Sequence, residues 1–111
     1  MEAVRISVSN DFSPRPGGRF PWEGPNSGEE FREKVLVHRY REARQANVDL
    51  VVDLDDTSGY ASSFLEEAFG GMIRKRYAEK DDLLARLTIL SGAQPKWVQR
   101  VERYIRQAEP E

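Results

Sequence analysis

Apolar and polar residues follow two different patterns along the chain. Val4, Ile6 and Val8 alternate with polar residues, and this two-residue period predicts a half-buried β-strand. Residues 48–54 are almost continuously apolar and end in acidic residues, which is typical of a strand buried on both faces. Residues 87–90 form a third apolar run of strand length. The chain is therefore expected to build a sheet around a buried central strand.

Between these strands, apolar residues recur at helical spacing. Residues 27–30 read Ser-Gly-Glu-Glu, which is the spacing of a capping box, and the helix that follows is predicted to run to about Ala46. A second helix is predicted to start with Ser62 or Ser63 as its N-cap, and a last helix starts near Pro95. Strands that alternate with helices favour an α/β fold with a partly parallel sheet.

A long loop separates the first strand from the first helix. Residues 10–26 contain four of the six prolines, and residues 18–22 could form a short edge strand, where proline is tolerated. Phe20 and Trp22 either cover a small core or form an exposed aromatic anchor for a partner. We predict one domain over residues 1–111, with a mixed four- to five-stranded sheet covered by about three helices.

Composition narrows the range of functions. The chain has 111 residues and a formal net charge of -2, so it offers no strong attraction to nucleic acid. It has no cysteine and a single histidine, His38, so thiol chemistry, a catalytic histidine and a metal site are not expected. No signal sequence and no apolar run of membrane length is present. A cytoplasmic protein with no cofactor and no membrane contact is the expectation.

Two runs of sequence are specific enough to compare with known families. The first is Gly-Pro-Asn-Ser-Gly-Glu at residues 24–29, followed by Phe31 and Arg32. The second is Ser-Ser-Phe-Leu-Glu-Glu-Ala-Phe-Gly-Gly at residues 62–71. Both resemble a bacterial family of STAS-like domains of unknown function, and the resemblance covers about residues 24–90. It implies a small STAS-like α/β fold and a module that stands alone or accompanies histidine-kinase-like ATPase domains.

The chain also resembles the related anti-sigma-factor antagonists at one motif. In those STAS domains a buried strand ends, a loop follows, and a D-S-S-G-like tetrapeptide opens a helix. A partner kinase phosphorylates a serine there and thereby switches binding off. The resemblance implies Ser62 and Ser63 as phosphate acceptors and a kinase-like ATPase as partner. Ala61 and Phe64 stand where the antagonists carry Asp and Gly.

These observations favour a non-enzymatic module for regulated protein association, with no catalytic residue. The predicted partner face combines the turn before the second helix, the first turn of that helix and the part of the long loop that carries Phe20 and Trp22, called the aromatic loop below. Its candidate residues are Asp55, Asp56, Ser58, Tyr60, Glu66, Phe20 and Trp22. A phosphate added beside so many carboxylates would repel them and expel a partner. Self-association of the chain is a further expectation that the sequence leaves open.

Two alternatives remain. Residues 53–57 read Asp-Leu-Asp-Asp-Thr, which resembles the D-x-D-x-T signature of haloacid dehalogenase-like phosphotransferases. Asp53 would then be the nucleophile and Asp55 the general acid/base, with magnesium between carboxylates. However, a strand and a helix precede the motif, and too little chain follows it for the remaining motifs of that family. The other alternative is an assembly module without any switch.

Overall fold

Three strands and five helices make up the computed structural model, which describes residues 2–111. The strands are β1 (Val4–Ser7), β2 (Leu50–Asp53) and β3 (Leu87–Leu90). The helices are α1 (Val8–Asp11), α2 (residues 28–46), α3 (residues 62–74), α4 (Lys80–Arg86) and α5 (Lys96–Gln107). Helices α2 and α3 each contain one π-helical turn, at Arg32–Leu36 and Glu66–Gly70. The alternation of strands and helices confirms the predicted α/β class.

The sheet is smaller than predicted and entirely parallel. The three strands lie in the order β1-β2-β3, with Ile6 beside Val52 and Val52 beside Ile89. The prediction of a mixed sheet with four or five strands is therefore wrong for the described residues 2–111. Both connections run in the same direction across the sheet, and right-handed crossovers then place their helices on one face.

The expected edge strand at residues 18–22 is instead a turn of 3-10 helix at Pro21–Glu23. Glu23 Oε1 accepts hydrogen bonds from the N–H groups of Arg19 (3.0 Å) and Phe20 (2.8 Å). Pro21 has no N–H and its fixed φ suits a helical first position. The Glu23 carboxylate thus binds two backbone N–H groups that an edge strand at residues 18–22 would use to pair with the sheet.

One face of the sheet belongs to the core and the other does not. Register partners in adjacent parallel strands point to the same face. The six side chains of the first face all pack in the core or against it: Val4, Ile6, Leu50, Val52, Leu87 and Ile89. The six of the second face lie outside the core cluster: Arg5, Ser7, Val51, Asp53, Thr88 and Leu90. The main core cluster therefore lies on the first face, whereas the second face carries the exposed Arg5, Thr88 and Leu90 around a buried Val51.

Helix α2 begins at the predicted capping box and ends where predicted. Ser27 Oγ accepts the N–H of Glu30 at 3.1 Å, and Glu30 Oε1 accepts the N–H of Ser27 at 3.2 Å. After Ala46, Asn47 takes a left-handed conformation with φ 54°, a common way to end a helix. Short-range side-chain chemistry was sufficient to place both ends.

Helix α3 starts without a side-chain cap, so the prediction that Ser62 or Ser63 is its N-cap is wrong. Ala61 has extended φ and ψ angles of -78° and 141°, and its carbonyl accepts the N–H of Phe64 at 3.1 Å. Ser62 and Ser63 already lie in the first helical turn. The buried ring of Phe64 packs against Tyr60, four residues earlier in the chain. The N-cap is therefore Ala61, one residue before the first of the two expected serines.

The start of α3 lacks a side-chain cap and is exposed, so a capping residue there should stabilise the fold. We expect Ala61→Asp to raise the free energy of unfolding by about 1 kcal/mol, because its carboxylate would accept an N–H of the first turn and complement the helix dipole. Urea denaturation measures the change. Ser62→Ala is the control and should leave stability within about 0.5 kcal/mol, since Ser62 caps nothing. A loss of about 1 kcal/mol in that control would mean that Ser62 is the cap after all.

The prediction of about three helices is wrong for residues 2–111, because neither α1 at Val8–Asp11 nor α4 was predicted from the sequence. Helix α4 is the longer of the two. It carries Asp81 and Asp82 in its first turn and Arg86 in its last, and it buries Leu83. These charges suit the two ends of a helix dipole, so the signal was present but short. Within residues 2–111, none of the helices has the length and apolarity needed to cross a membrane.

Candidate functional site

The carboxyl ends of β2 and β3 are joined by an aspartate. Asp55 Oδ2 accepts the N–H of Gly92 at 2.9 Å, and Asp55 Oδ1 accepts the N–H of Ala93 at 3.0 Å. Hydrogen bonds from Ala93 and then Gly92 hold the pKa of Asp55 below its ordinary value. Asp53 Oδ1 in turn accepts the N–H of Asp55 at 2.9 Å. Both carboxylates therefore shape the loops that follow the two strands.

A small cavity of about 90 Å³ opens between these loops. Four of the predicted partner residues line it: Asp55, Asp56, Ser58 and Tyr60. Its other walls include Leu54, Ser91, Gln94 and Trp97. Pockets for drug-sized ligands and cofactors usually hold about 300–1,000 Å³, so this cavity has the size of one side chain. Its place beyond the carboxyl ends of parallel strands is where α/β proteins commonly bind ligands.

Two aromatic rings form the apolar wall of the cavity. The ring centroids of Tyr60 and Trp97 lie 6.3 Å apart in a T-shaped arrangement with an interplanar angle of 78°. The Tyr60 hydroxyl donates to the carbonyl of Leu54 at 2.8 Å, and burial raises the pKa of Tyr60 to about 12. Lys96 and Arg100 place their cationic groups 5.0 and 5.3 Å from the centre of the Trp97 ring. Sequence analysis had not singled out Trp97 for the site, because helical periodicity gave no indication of a cavity.

The remaining predicted site residues lie apart from the cavity lining. Ser62 is exposed and Ser63 is half-buried in the first turn of α3. The rings of Phe20 and Trp22 stack with centroids 4.5 Å apart, and Trp22 is 78% exposed. The aromatic loop thus presents the Trp22 ring to solvent and does not bury it over the core, and its role as a partner anchor stays a prediction. Glu66 instead takes part in ion pairs.

These ion pairs connect the aromatic loop with α3. Glu66 Oε1 accepts from Arg19 Nη1 at 2.6 Å, and Glu66 Oε2 accepts from Arg74 Nη1 at 2.7 Å. Burial acts to raise the pKa of Glu66, but the hydrogen bonds from Arg74 and Arg19 prevail and lower it. Backbone hydrogen bonds also join Gly28 N–H to Gly18 O at 2.8 Å. The loop is therefore fixed against the N-terminal halves of α2 and α3.

The two runs that carry the family resemblance meet at a buried ion pair. Arg32 is 1% exposed, and its Nη1 donates to Glu67 Oε2 at 2.6 Å and to the Glu67 carbonyl at 2.8 Å. Gly71 lies so close to this guanidinium that a Cβ would overlap it. Gly28 lies equally close to the carbonyl of Phe64. These residues hold α2 against α3, a role that sequence analysis had not assigned to them.

His38 is exposed on the outer side of α2. Among residues 2–111, no three His, Cys, Asp or Glu side chains are grouped so that they could hold a metal ion.

Comparison with known proteins identifies the family. The profile of a STAS-like domain of unknown function (DUF4325) matches residues 27–97, a segment that contains the second run, the first run from Ser27 onward and the turn at residues 55–60 that lines the cavity. A comparison with curated proteins found no match, and neither did a comparison with solved structures. The matched segment is well over half of the chain. The chain therefore belongs to the family of STAS-like domains of unknown function.

Proposed function

We propose that this chain is a non-enzymatic protein-interaction module whose partner face lies at the carboxyl ends of β2 and β3. The observation that carries the proposal is the side-chain-sized cavity lined by Asp55, Asp56, Ser58 and Tyr60. A face that accepts one anchoring side chain in an apolar pocket with a polar rim has the usual layout of a binding hot spot. The cavity is too small for the cofactors that most enzymes use.

The chemistry of the cavity suggests what it accepts. Leu54, Tyr60 and Trp97 supply apolar walls, while Asp55 and Asp56 place carboxylates at the rim. The pKa of Asp55 is lowered, so its charge persists at neutral pH. A partner side chain with an apolar stem and a cationic or polar end fits this combination.

The serines of α3 supply the proposed switch. Ser62 is exposed in the first turn, where the helix dipole tolerates a phosphate. The same phosphate would add negative charge near a face that already carries Asp55 and Asp56, and it would change how a charged partner approaches. The family resemblance makes a histidine-kinase-like ATPase the candidate partner and kinase.

The contacts of the two aspartates weigh against the phosphotransferase alternative. A nucleophilic Asp53 and an acid/base Asp55 would need oxygens directed at a substrate and a magnesium ion. Instead, both Asp55 oxygens and one Asp53 oxygen accept backbone N–H groups. Phosphate found on Asp53 in protein from the native host, handled so that acyl-phosphates survive, would favour the phosphotransferase.

A photo-crosslinking amino acid at Ser58 tests the partner face in the native host. We expect it to capture one discrete protein, because Ser58 is exposed beside the cavity. The matched control carries the same group at His38, which is exposed on α2, and should capture none. Ser62→Glu should reduce capture about tenfold, a change of about 1.4 kcal/mol, whereas Ser62→Ala should not.

The results separate the remaining alternatives. If Ser58 captures a protein and Ser62→Glu does not reduce that capture, the result would support an unswitched assembly module. Equal products at Ser58 and His38 would contradict the proposed face.

A further inference from the structure

The two edges of the sheet differ in whether side chains bind their outward backbone groups. At the outer edge of β1, Arg39 Nη2 donates to the carbonyl of Arg5 at 2.7 Å, and Asp11 Oδ2 accepts the N–H of Ser7 at 2.7 Å. Charged side chains thus occupy two of the backbone groups that another strand would need. This is a common way to prevent strand addition at an edge.

The outer edge of β3 has no comparable protection. Leu54 N–H donates to the carbonyl of Leu90 at 2.8 Å, so the backbone groups of Leu90 face β2. In a parallel ladder the residues alternate, so the backbone groups of Leu87 and Ile89 face outward. Leu87 N–H is used by Leu83 O. Within residues 2–111, no hydrogen bond from a side chain or from a loop reaches Ile89 N–H or Ile89 O.

The side chains of β3 also suit pairing. The strand reads Leu-Thr-Ile-Leu, without charge or proline, so it lacks the residues that usually protect an edge. Thr88 is exposed and Leu90 is 40% exposed, both on the second face of the sheet. An uncharged strand can lie beside a copy of itself without like-charge repulsion.

We propose that β3 pairs in antiparallel fashion with β3 of a second copy of this chain. Ile89 of one copy then lies opposite Ile89 of the other, and the two residues exchange both of their outward backbone hydrogen bonds. Thr88 of each copy lies opposite Leu90 of the other copy, so both exposed leucines become covered. The pairing is two-fold symmetric, as in most homodimers, and it joins two three-stranded sheets into one of six strands.

The antiparallel arrangement leaves the cavity of each copy accessible. The carboxyl ends of the two β3 strands point in opposite directions, so the two cavities lie towards opposite ends of the dimer. The dimer would present two partner faces at once, and a paired partner would bind it with increased avidity. The inference itself rests on the edge of β3 and stands without the proposed partner face.

Sedimentation velocity of the full chain tests the pairing. Between about 1 µM and about 1 mM, the range of moderate to weak association, we expect the mass to rise from 12.8 kDa to twice that value. Thr88→Lys with Leu90→Lys places lysines opposite each other and should keep the chain monomeric. Thr88→Glu with Leu90→Glu should do the same. An equimolar mixture of the two double variants should form dimers again.

Two further measurements make the result decisive. Arg5→Glu changes a charge on the second face of the sheet but at the β1 edge, and it should dimerise as the wild type does. The Ile89 amide of the wild type should exchange with deuterium more slowly as protein concentration rises, which needs no variant to fold. A wild type that stays monomeric to about 1 mM, a lysine double variant that still dimerises, or Ile89 exchange independent of concentration would each overturn the proposal.

Discussion

Arg32→Met is expected to lower the free energy of unfolding by about 3 kcal/mol. The guanidinium is almost completely buried and donates to both the side chain and the carbonyl of Glu67. Its loss leaves Glu67, which is 5% exposed, with only its contacts to Arg19 and Arg74 at 3.1 and 3.5 Å. Removing one partner of a buried pair is costly because the other charge stays desolvated. Urea denaturation followed by circular dichroism measures the change.

A control on the same helix separates burial from charge. Lys34 pairs with Glu30 at 3.4 Å, and its side chain is 68% exposed, so Lys34→Met should cost less than about 0.5 kcal/mol. The double variant Arg32→Met with Glu67→Met should be more stable than Arg32→Met alone, because it leaves no carboxylate buried at this position. Equal losses for Arg32→Met and Lys34→Met would show that the Arg32–Glu67 pair is not buried in solution.

Gly28→Ala is expected to destabilise the fold by about 2–3 kcal/mol. A Cβ at Gly28 would overlap the carbonyl oxygen of Phe64. That oxygen belongs to the backbone of α3, so the clash is relieved only if α2 and α3 move apart. Such a movement would loosen the packing of Phe31 against Phe64, whose ring centroids lie 5.8 Å apart. Thermal and urea denaturation would both detect the loss.

Gly70→Ala provides the comparison. Its Cβ would meet the carboxylate of Glu66, which is the end of a flexible, partly exposed side chain. Alanine also gains up to about 1 kcal/mol over glycine inside a helix, so Gly70→Ala should cost clearly less than Gly28→Ala. If the two variants were equally stable, the close approach of α2 to α3 at Gly28 would not exist.

These two predictions assign a role to the runs that carry the family resemblance. Gly28 and Arg32 come from the first run, and Glu67 and Gly71 from the second. In the structure Arg32 contacts Glu67 and Gly71, and Gly28 lies against the carbonyl of Phe64 in the second run, so both contacts hold the two helices together. The cavity lies elsewhere, at the turn that includes residues 55–60. The residues that carry the family resemblance therefore pack α2 against α3 in the interior. We propose that partner specificity resides in the turn.

Local sequence patterns predicted several elements well. The alternation at Val4, Ile6 and Val8, the apolar run at residues 48–54 and the capping box at Ser27 each depend on near neighbours in the chain. The strand at Val4 and Ile6, the central strand and the capped helix start are all observed, whereas Val8 begins α1 and does not continue the strand. Helix α4 was missed because seven residues with one fully buried side chain give almost no periodic signal.

By itself, the sequence determined the α/β class, the course of the three strands, the capped start of α2 and four of the residues that line the cavity. Two local features did not follow from the sequence pattern: Glu23 binds the N–H groups of Arg19 and Phe20 where an edge strand was expected, and α3 starts after Ala61. Tertiary structure alone decided that the strands of residues 2–111 form one parallel sheet of three, that Arg32 is buried against Glu67 and that Trp97 contributes to the cavity. These last three depend on contacts between residues far apart in the chain, and periodicity and spacing report only on neighbours.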